Sequence, residues 1–281
     1  MGKAQRITVP EIVSRKGSGK KITSLTAYDY TFARLFDSAG IDVVLVGDSL
    51  GTVIQGHETT LPVTVEDIIY HSRAVARAVE RSLVISDMPF LSFQVSTERA
   101  IDLAGRLIKE GGVQGVKVEG GIPIADTIAR LVELDIPVMG HVGLTPQSVH
   151  RMGGYKVQGK SSALNQGKSL APAGSRERVV QDAVAVAEAG AFAIVLECIP
   201  AELAAEITAS VSVPTIGIGA GAECDGQVLV SYDMLGLNPE INLRFVKRYL
   251  EGGVLIEKAV RQFIDEVQNK SFPGEENIFS S

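Results

Sequence analysis

Short apolar runs recur along the chain, and several end in an acid followed by glycine or proline. Val43, Val44, Leu45 and Val46 form one such run, continuous rather than alternating, with Gly47 and Gly51 behind it. A continuous run of this kind reads as a strand buried on both faces, as in a parallel sheet covered by helices. Asp48 then falls at the strand's carboxyl end. The same pattern leads to Asp87 in SLVISDMP, Glu119 in GVKVEGG and Glu197 in FAIVLECIP.

The pattern predicts strands over 21–26, 43–46, 82–86, 115–118, 136–139, 192–196, 215–218 and 227–231. Helices are expected between them, over 30–39, 65–81, 97–110, 124–134, 175–189 and 201–209, with Thr64 capping the second. A short helix over 8–15, capped by Thr8 and carrying Pro10 in its first turn, precedes the first strand and is broken by Gly17-Ser18-Gly19. A helix over 243–268 is expected to close the ring. Strands alternating with helices without a composition break predict an α/β fold, a closed (β/α)8 TIM barrel rather than an open doubly wound sheet. The helix before the last strand has room for barely one turn. Residues 143–173, rich in Gly, Ser, Gln and Lys, depart from short connections, and a loop of that length in a compact domain is usually functional or disordered.

Length and composition fit this picture. The 281 residues suit a single barrel domain over 1–281, with a short N-terminal helix and a flexible tail from about 270. Hydrophobic residues make up 45% of the chain and charged residues 21%, enough for a large core. A net charge of -6 with no basic block argues against a nucleic-acid surface. The most apolar stretch, 183–201, is interrupted by Glu188, Gly190 and Glu197, so no membrane span is expected. The opening MGKAQRITVP lacks the apolar segment of a secretory signal. Cys198 and Cys224 form no CxxC pair, which suits a reducing, cytoplasmic setting.

Two glycine motifs add little. Gly17-Ser18-Gly19-Lys20 lacks the glycine and the Ser/Thr of a phosphate loop, having Ser14 and Lys21 there, and reads as a turn. Gly217-Ile218-Gly219-Ala220-Gly221-Ala222 fits a loose dinucleotide fingerprint, but too little chain follows it for a nucleotide-binding half. His57, His71, His141 and His150 show no zinc spacing, although His141 falls at a strand end.

The acids carry more. A single Asp after a strand is usually a helix cap or turn residue. Asp48, Asp87 and Glu119, however, end consecutive strands, whose ends converge on one mouth in a barrel. Three carboxylates in a partly dry mouth repel one another unless a cation compensates, and oxygen-only ligation suits Mg2+. Such an ion binds a 2-oxo acid and stabilises its enolate. Lys117, two residues from Glu119 and on the same face, is placed to pair with the substrate carboxylate. Glu197, flanked by apolar residues, is the candidate base, with pairing to an Arg at the rim as the plainer alternative.

The words LTAYD (25–29), VGDS (46–49), DMPF (87–90), VKVEGG (116–121), HVGLTPQSV (141–149), GGYKVQGK (153–160), LECIPAELA (196–204) and IGIGAG with DGQ (216–221, 225–227) together resemble the ketopantoate hydroxymethyltransferase family. The resemblance covers nearly the whole chain. It implies a barrel of the phosphoenolpyruvate/pyruvate superfamily and a Mg2+-dependent reaction of the enolate of 3-methyl-2-oxobutanoate with 5,10-methylenetetrahydrofolate, a co-substrate, giving 2-dehydropantoate in pantothenate biosynthesis. It further implies Asp48 and Asp87 as Mg2+ ligands, Glu119 as a further metal-site acid, Asp48, Ser49, Asp87 and Lys117 as 2-oxo acid contacts, and Glu197 as general base. Homo-oligomers, decamers of two pentamers, follow from the same resemblance. His150 stands where the family pattern has Asn, and the connection from Lys160 to Ala173 is longer than usual. A carbon–carbon lyase or phosphonomutase of the same superfamily and a non-catalytic 2-oxo acid sensor are the competing readings.

Overall fold

The computed structural model describes residues 5–160, 171–240 and 242–279. Most of the connection from Lys160 to Ala173 and the last two residues of the expected tail lie outside the described residues. The chain gathers into two compact units, Met1–Val230 and Ser231–Ser281.

The first unit is a closed parallel barrel with its eight strands in sequence order. These are β1 (Ile22–Thr26), β2 (Val43–Val46), β3 (Leu83–Asp87), β4 (Gly115–Glu119), β5 (Val138–Gly143), β6 (Ala193–Glu197), β7 (Thr215–Ile218) and β8 (Gly226–Leu229). Helices α1 (Val9–Val13), α2 (Tyr30–Ala39), α3 (Leu50–Val53), α4 (Val65–Ala78), α5 (Thr97–Arg106), α6 (Ala125–Glu133), α7 (Val149–Met152), α8 (Arg176–Glu188) and α9 (Ala201–Ser210) belong to the same unit. The apolar runs are strands because both faces are covered: every residue of β2, β3 and β4 is buried. The ring closes where Ile22 of β1 pairs with Gly226 of β8. A Cβ on Gly226 would lie 2.5 Å from the Ile22 carbonyl oxygen, so closure needs glycine there.

The structure moves several expected boundaries. Helix α4 stops at Ala78 rather than 81, because the Asp37 carboxylate accepts from the backbone N–H groups of Glu80, Arg81 and Ser82 and draws them out of the helical path. Thr64 does cap α4, in a reciprocal box with Asp67. The expected helix over 97–110 is α5 followed by a wider π-helical turn, Leu107–Gly111. The last strand ends at Leu229, not 231, and Ser231 opens a new helical turn instead. Residues 143–173 are not wholly loop: β5 runs to Gly143, a 3-10 turn spans Pro146–Ser148, and α7 follows, with Leu144, Thr145, Gln147 and Val149 buried.

The second unit holds α10 (Ser231–Met234) and α11 (Gly252–Gln268). The last helix begins at Gly252 rather than 243. Backbone bonds from Tyr249 N to Met234 O (2.8 Å) and from Gly252 N to Leu235 O (2.9 Å) hold the intervening chain in a non-helical path.

Candidate active site

Register decides which side chains meet. Asp87 is level with Lys117 across β3 and β4, Glu119 with His141 across β4 and β5, and Gly143 with Glu197 across β5 and β6. Residues level with one another share a face, as do residues two apart on one strand. Asp87, Lys117, Glu119, His141 and Glu197 therefore share one face of the sheet at its carboxyl end. That face is the barrel interior, since Gly140, of opposite parity, meets Val186 of α8, where a Cβ would fall 2.2 Å from Cγ1. Asp48 and Ser49 reach the same place through Gly47, whose missing side chain leaves room: a Cβ there would lie 2.7 Å from Ser49 Oγ.

The side chains form one network. Lys117 Nζ lies 3.0 Å from Asp87 Oδ1, 4.0 Å from Glu119 Oε1 and 3.1 Å from His141 Nδ1. The backbone N–H of Asp48 donates to Asp87 Oδ2 at 2.9 Å. Ser49 Oγ is 2.8 Å from the hydroxyl of Tyr28. His141 Nε2 lies 3.1 Å from Glu197 Oε2, without an aligned hydrogen bond. Gln147 closes the network from the segment after β5: its backbone N–H donates to Glu119 Oε2 (3.0 Å), and its side-chain amide donates to Asp48 Oδ2 (2.8 Å) and the Met88 carbonyl (2.9 Å).

Burial and charge set the protonation states. Asp48 is raised well above the ordinary carboxylate range, by burial first and then by the charges of Asp87 and Glu119. Glu119 is raised by burial and by Asp87, against the pull of Lys117. Burial pushes Glu197 up to about 7. Burial alone would lower Lys117, but Asp87, Glu119 and Asp48 outweigh it and raise the ammonium overall. Burial and the Lys117 charge hold His141 neutral, so its approaches to Glu119 and Glu197 are not ion pairs. Partial desolvation and the charges of Asp48, Glu197 and Glu119 raise the phenol of Tyr155, which is itself about half exposed.

The donor set suits a hard cation that keeps some of its water. Asp87 Oδ1 and Glu119 Oε1 are buried without an aligned hydrogen-bond partner, and the single Lys117 charge that faces them is shared among three acids, so a further positive charge would be favourable there. Among the described residues no three His, Cys, Asp or Glu side chains close on one point as a full ligand cage does. An ion here would thus rely on water or substrate for the rest of its shell, as Mg2+ commonly does.

All six residues singled out from the sequence, Asp48, Ser49, Asp87, Lys117, Glu119 and Glu197, gather at the mouth. Glu197 lies beside His141 rather than an arginine. His150, by contrast, is exposed on α7 and joins no part of the network. Three neighbours carried no readable sign of their part here: Gln147, Tyr155 and Tyr28. Each lies within a recognisable word, but an uncharged side chain after a Thr-Pro turn or among glycines has no spacing that marks it.

Comparison with known proteins bears on the chain as a whole. A family model described as ketopantoate hydroxymethyltransferase matches residues 6–275. A protein of Pelobacter propionicus named 3-methyl-2-oxobutanoate hydroxymethyltransferase is 52% identical over 276 residues, covering 98% of each chain. One of the same name from Geobacter sulfurreducens is 55% identical over 273 residues, covering 97% of this chain and 98% of that one. Among solved structures, phosphonopyruvate hydrolase in complex with oxalate and Mg2+ superposes with a TM-score of 0.60 at 12% identity, over 97% of this chain and 91% of the other. A 2,3-dimethylmalate lyase of the PEP mutase/isocitrate lyase superfamily gives 0.59 at 15%, with the same coverage. At such identities the two structures establish a shared barrel fold.

Proposed function

From the premise that the chain belongs to the ketopantoate hydroxymethyltransferase family, we propose that it transfers a hydroxymethyl group from 5,10-methylenetetrahydrofolate to 3-methyl-2-oxobutanoate, giving 2-dehydropantoate in pantothenate biosynthesis. The observation that carries this reading is a desolvated base, Glu197, facing the same interior as a buried cluster of three acids and a lysine. Asp48 and Asp87 would hold one Mg2+ per subunit, with Glu119 reaching it through water. The ion would supply a positive charge for the keto oxygen. Lys117 and Ser49, with Asp48 and Asp87, contact the 2-oxo acid, the Lys117 ammonium meeting its carboxylate.

Glu197 takes the proton from C3, and C3 forms a bond to the donor's methylene carbon. Water supplies the hydroxyl oxygen. Both C–N bonds of the methylene bridge break, and the C3 proton and a water proton end on the two nitrogens, leaving tetrahydrofolate. A cavity of about 350 Å3 borders Glu119 and Gln147 and leaves room for a second substrate at the mouth. We place the reaction in the cytoplasm, which suits the two free, buried cysteines. We also take the assembly to be a decamer of two pentamers, supported by the exposed apolar side chains of α11, among them Leu255, Val260 and Phe263.

The test is deuterium exchange at C3 of 3-methyl-2-oxobutanoate in D2O without folate, followed by NMR. Exchange is expected with Mg2+, absent with a chelator, and lost in Glu197→Gln. No exchange in the unaltered protein would sink the proposal and leave a 2-oxo acid sensor ahead.

A further inference from the structure

In each acid of the cluster, one carboxylate oxygen is already committed. Asp48 Oδ2 accepts from the Gln147 side-chain amide, Glu119 Oε2 from the Gln147 backbone N–H, and Asp87 Oδ2 from the Asp48 backbone N–H. Of the other oxygens, Asp87 Oδ1 faces the Lys117 ammonium at 3.0 Å, whereas Glu119 Oε1 is buried, 4.0 Å from that ammonium and with no aligned hydrogen-bond partner. Two of the three commitments come from a single buried residue, Gln147. Its amide is anchored in turn by the Met88 carbonyl and by Gln94, whose Nε2 donates to Gln147 Oε1 at 3.1 Å.

We propose that Gln147 is a specificity-determining positioning residue: by donating to one oxygen of Asp48 while its backbone N–H holds Glu119 in place, it favours single-oxygen ligation by Asp48 and so selects a small octahedral cation over a larger one. The inference rests on reading these acids as a Mg2+ site. Ca2+ takes more ligands and uses both oxygens of a carboxylate readily, whereas Mg2+ demands a compact octahedron and tolerates single-oxygen ligands with water. A donor fixed on Asp48 Oδ2 takes one of that oxygen's two lone pairs and holds the carboxylate in one orientation, which disfavours the two-oxygen mode there. The fixing is firm because the glutamine is buried and held at both ends of its amide, and outer partners of this kind orient the ligands they touch.

The experiment is calorimetric titration of the full-length protein with MgCl2 and, separately, CaCl2, for the unaltered chain, Gln147→Met and Gln147→Asn. Methionine keeps the length of the side chain and loses the donor. Asparagine keeps the amide but is one methylene too short to reach Asp48. Both leave the backbone bond to Glu119 in place, and a melting curve confirms folding, so that if one variant fails to fold the other decides. The preference for Mg2+ over Ca2+ is expected to shrink by about tenfold in each folded variant. A preference unchanged from that of the unaltered protein overturns the role of Gln147. If the unaltered protein binds no Mg2+ at all, it is the metal-site reading that fails, and the selectivity inference falls with it.

Discussion

Glu197 ends β6 between Leu196 and Cys198, both buried, and the lost hydration disfavours its charge. A base must be ionised to accept a proton. With the carboxyl raised from 4.5 to about 7, the ionised fraction grows as the solution passes from mildly acidic to mildly basic. The rate of C3 exchange is therefore expected to climb with pH and level off above about 8, a profile that NMR in buffered D2O would record. A rate that fell with rising pH would move the proton transfer to another group. Cys198, the next residue, is no rival: burial first and the Glu197 charge second push its thiol up to about 12, so it is not a thiolate near neutral pH. His141 is kept neutral in the same environment, where it receives Lys117 on one nitrogen and faces Glu197 with the other.

At the scale of elements, the site depends on strand ends being held level. Because side chains alternate along a strand, a slip of one residue in β4 would turn both Lys117 and Glu119 out of the interior. Close packing at the start of β4 resists such a slip: Gly115, on the same face as Lys117, has the Pro137 carbonyl only 2.8 Å from where its Cβ would be, leaving no room for another residue. The stop of α4 illustrates a second device. Asp37 accepts from three backbone N–H groups and from Ser82 Oγ, and these bonds hold its carboxyl below the ordinary range against the opposing effect of burial. Asp37→Ala leaves those donors without their acceptor and is expected to cost about 1–3 kcal/mol in urea unfolding. A variant as stable as the parent would show that water satisfies the donors equally well.

At the scale of the molecule, the closed ring removes sheet edges and leaves one mouth for chemistry, with the interior below it filled by side chains. Within the second unit, α11 carries exposed apolar side chains, among them Leu255, Val260, Phe263 and Ile264. In the proposed assembly such side chains would face another copy of the chain. Paired substitutions Val260→Glu and Phe263→Glu are expected to lower the mass seen by light scattering while leaving far-ultraviolet circular dichroism unchanged. An unchanged mass would remove α11 from the assembly contacts.

Continuous apolar runs made the eight strands legible, and their alternation with amphipathic segments made the barrel legible, because both follow from local periodicity and from which faces must be dry. The acids at the strand ends could be picked out for the same reason, since a charge closing an apolar run is conspicuous. Boundaries were less readable. The end of α4 and the start of α11 turn on bonds made by residues elsewhere in the chain, Asp37 to the turn after α4 and Met234 and Leu235 to the turn before α11. Gln147 was beyond reach for a sharper form of the same reason: an uncharged amide gains its role only from the three atoms it meets, and those are brought together by the register and closure of the ring. The chain by itself determined which groups would face the barrel's mouth, whereas tertiary structure alone decided which oxygen of each acid was spoken for, because hydrogen-bond direction is a property of assembled atoms and not of residue order.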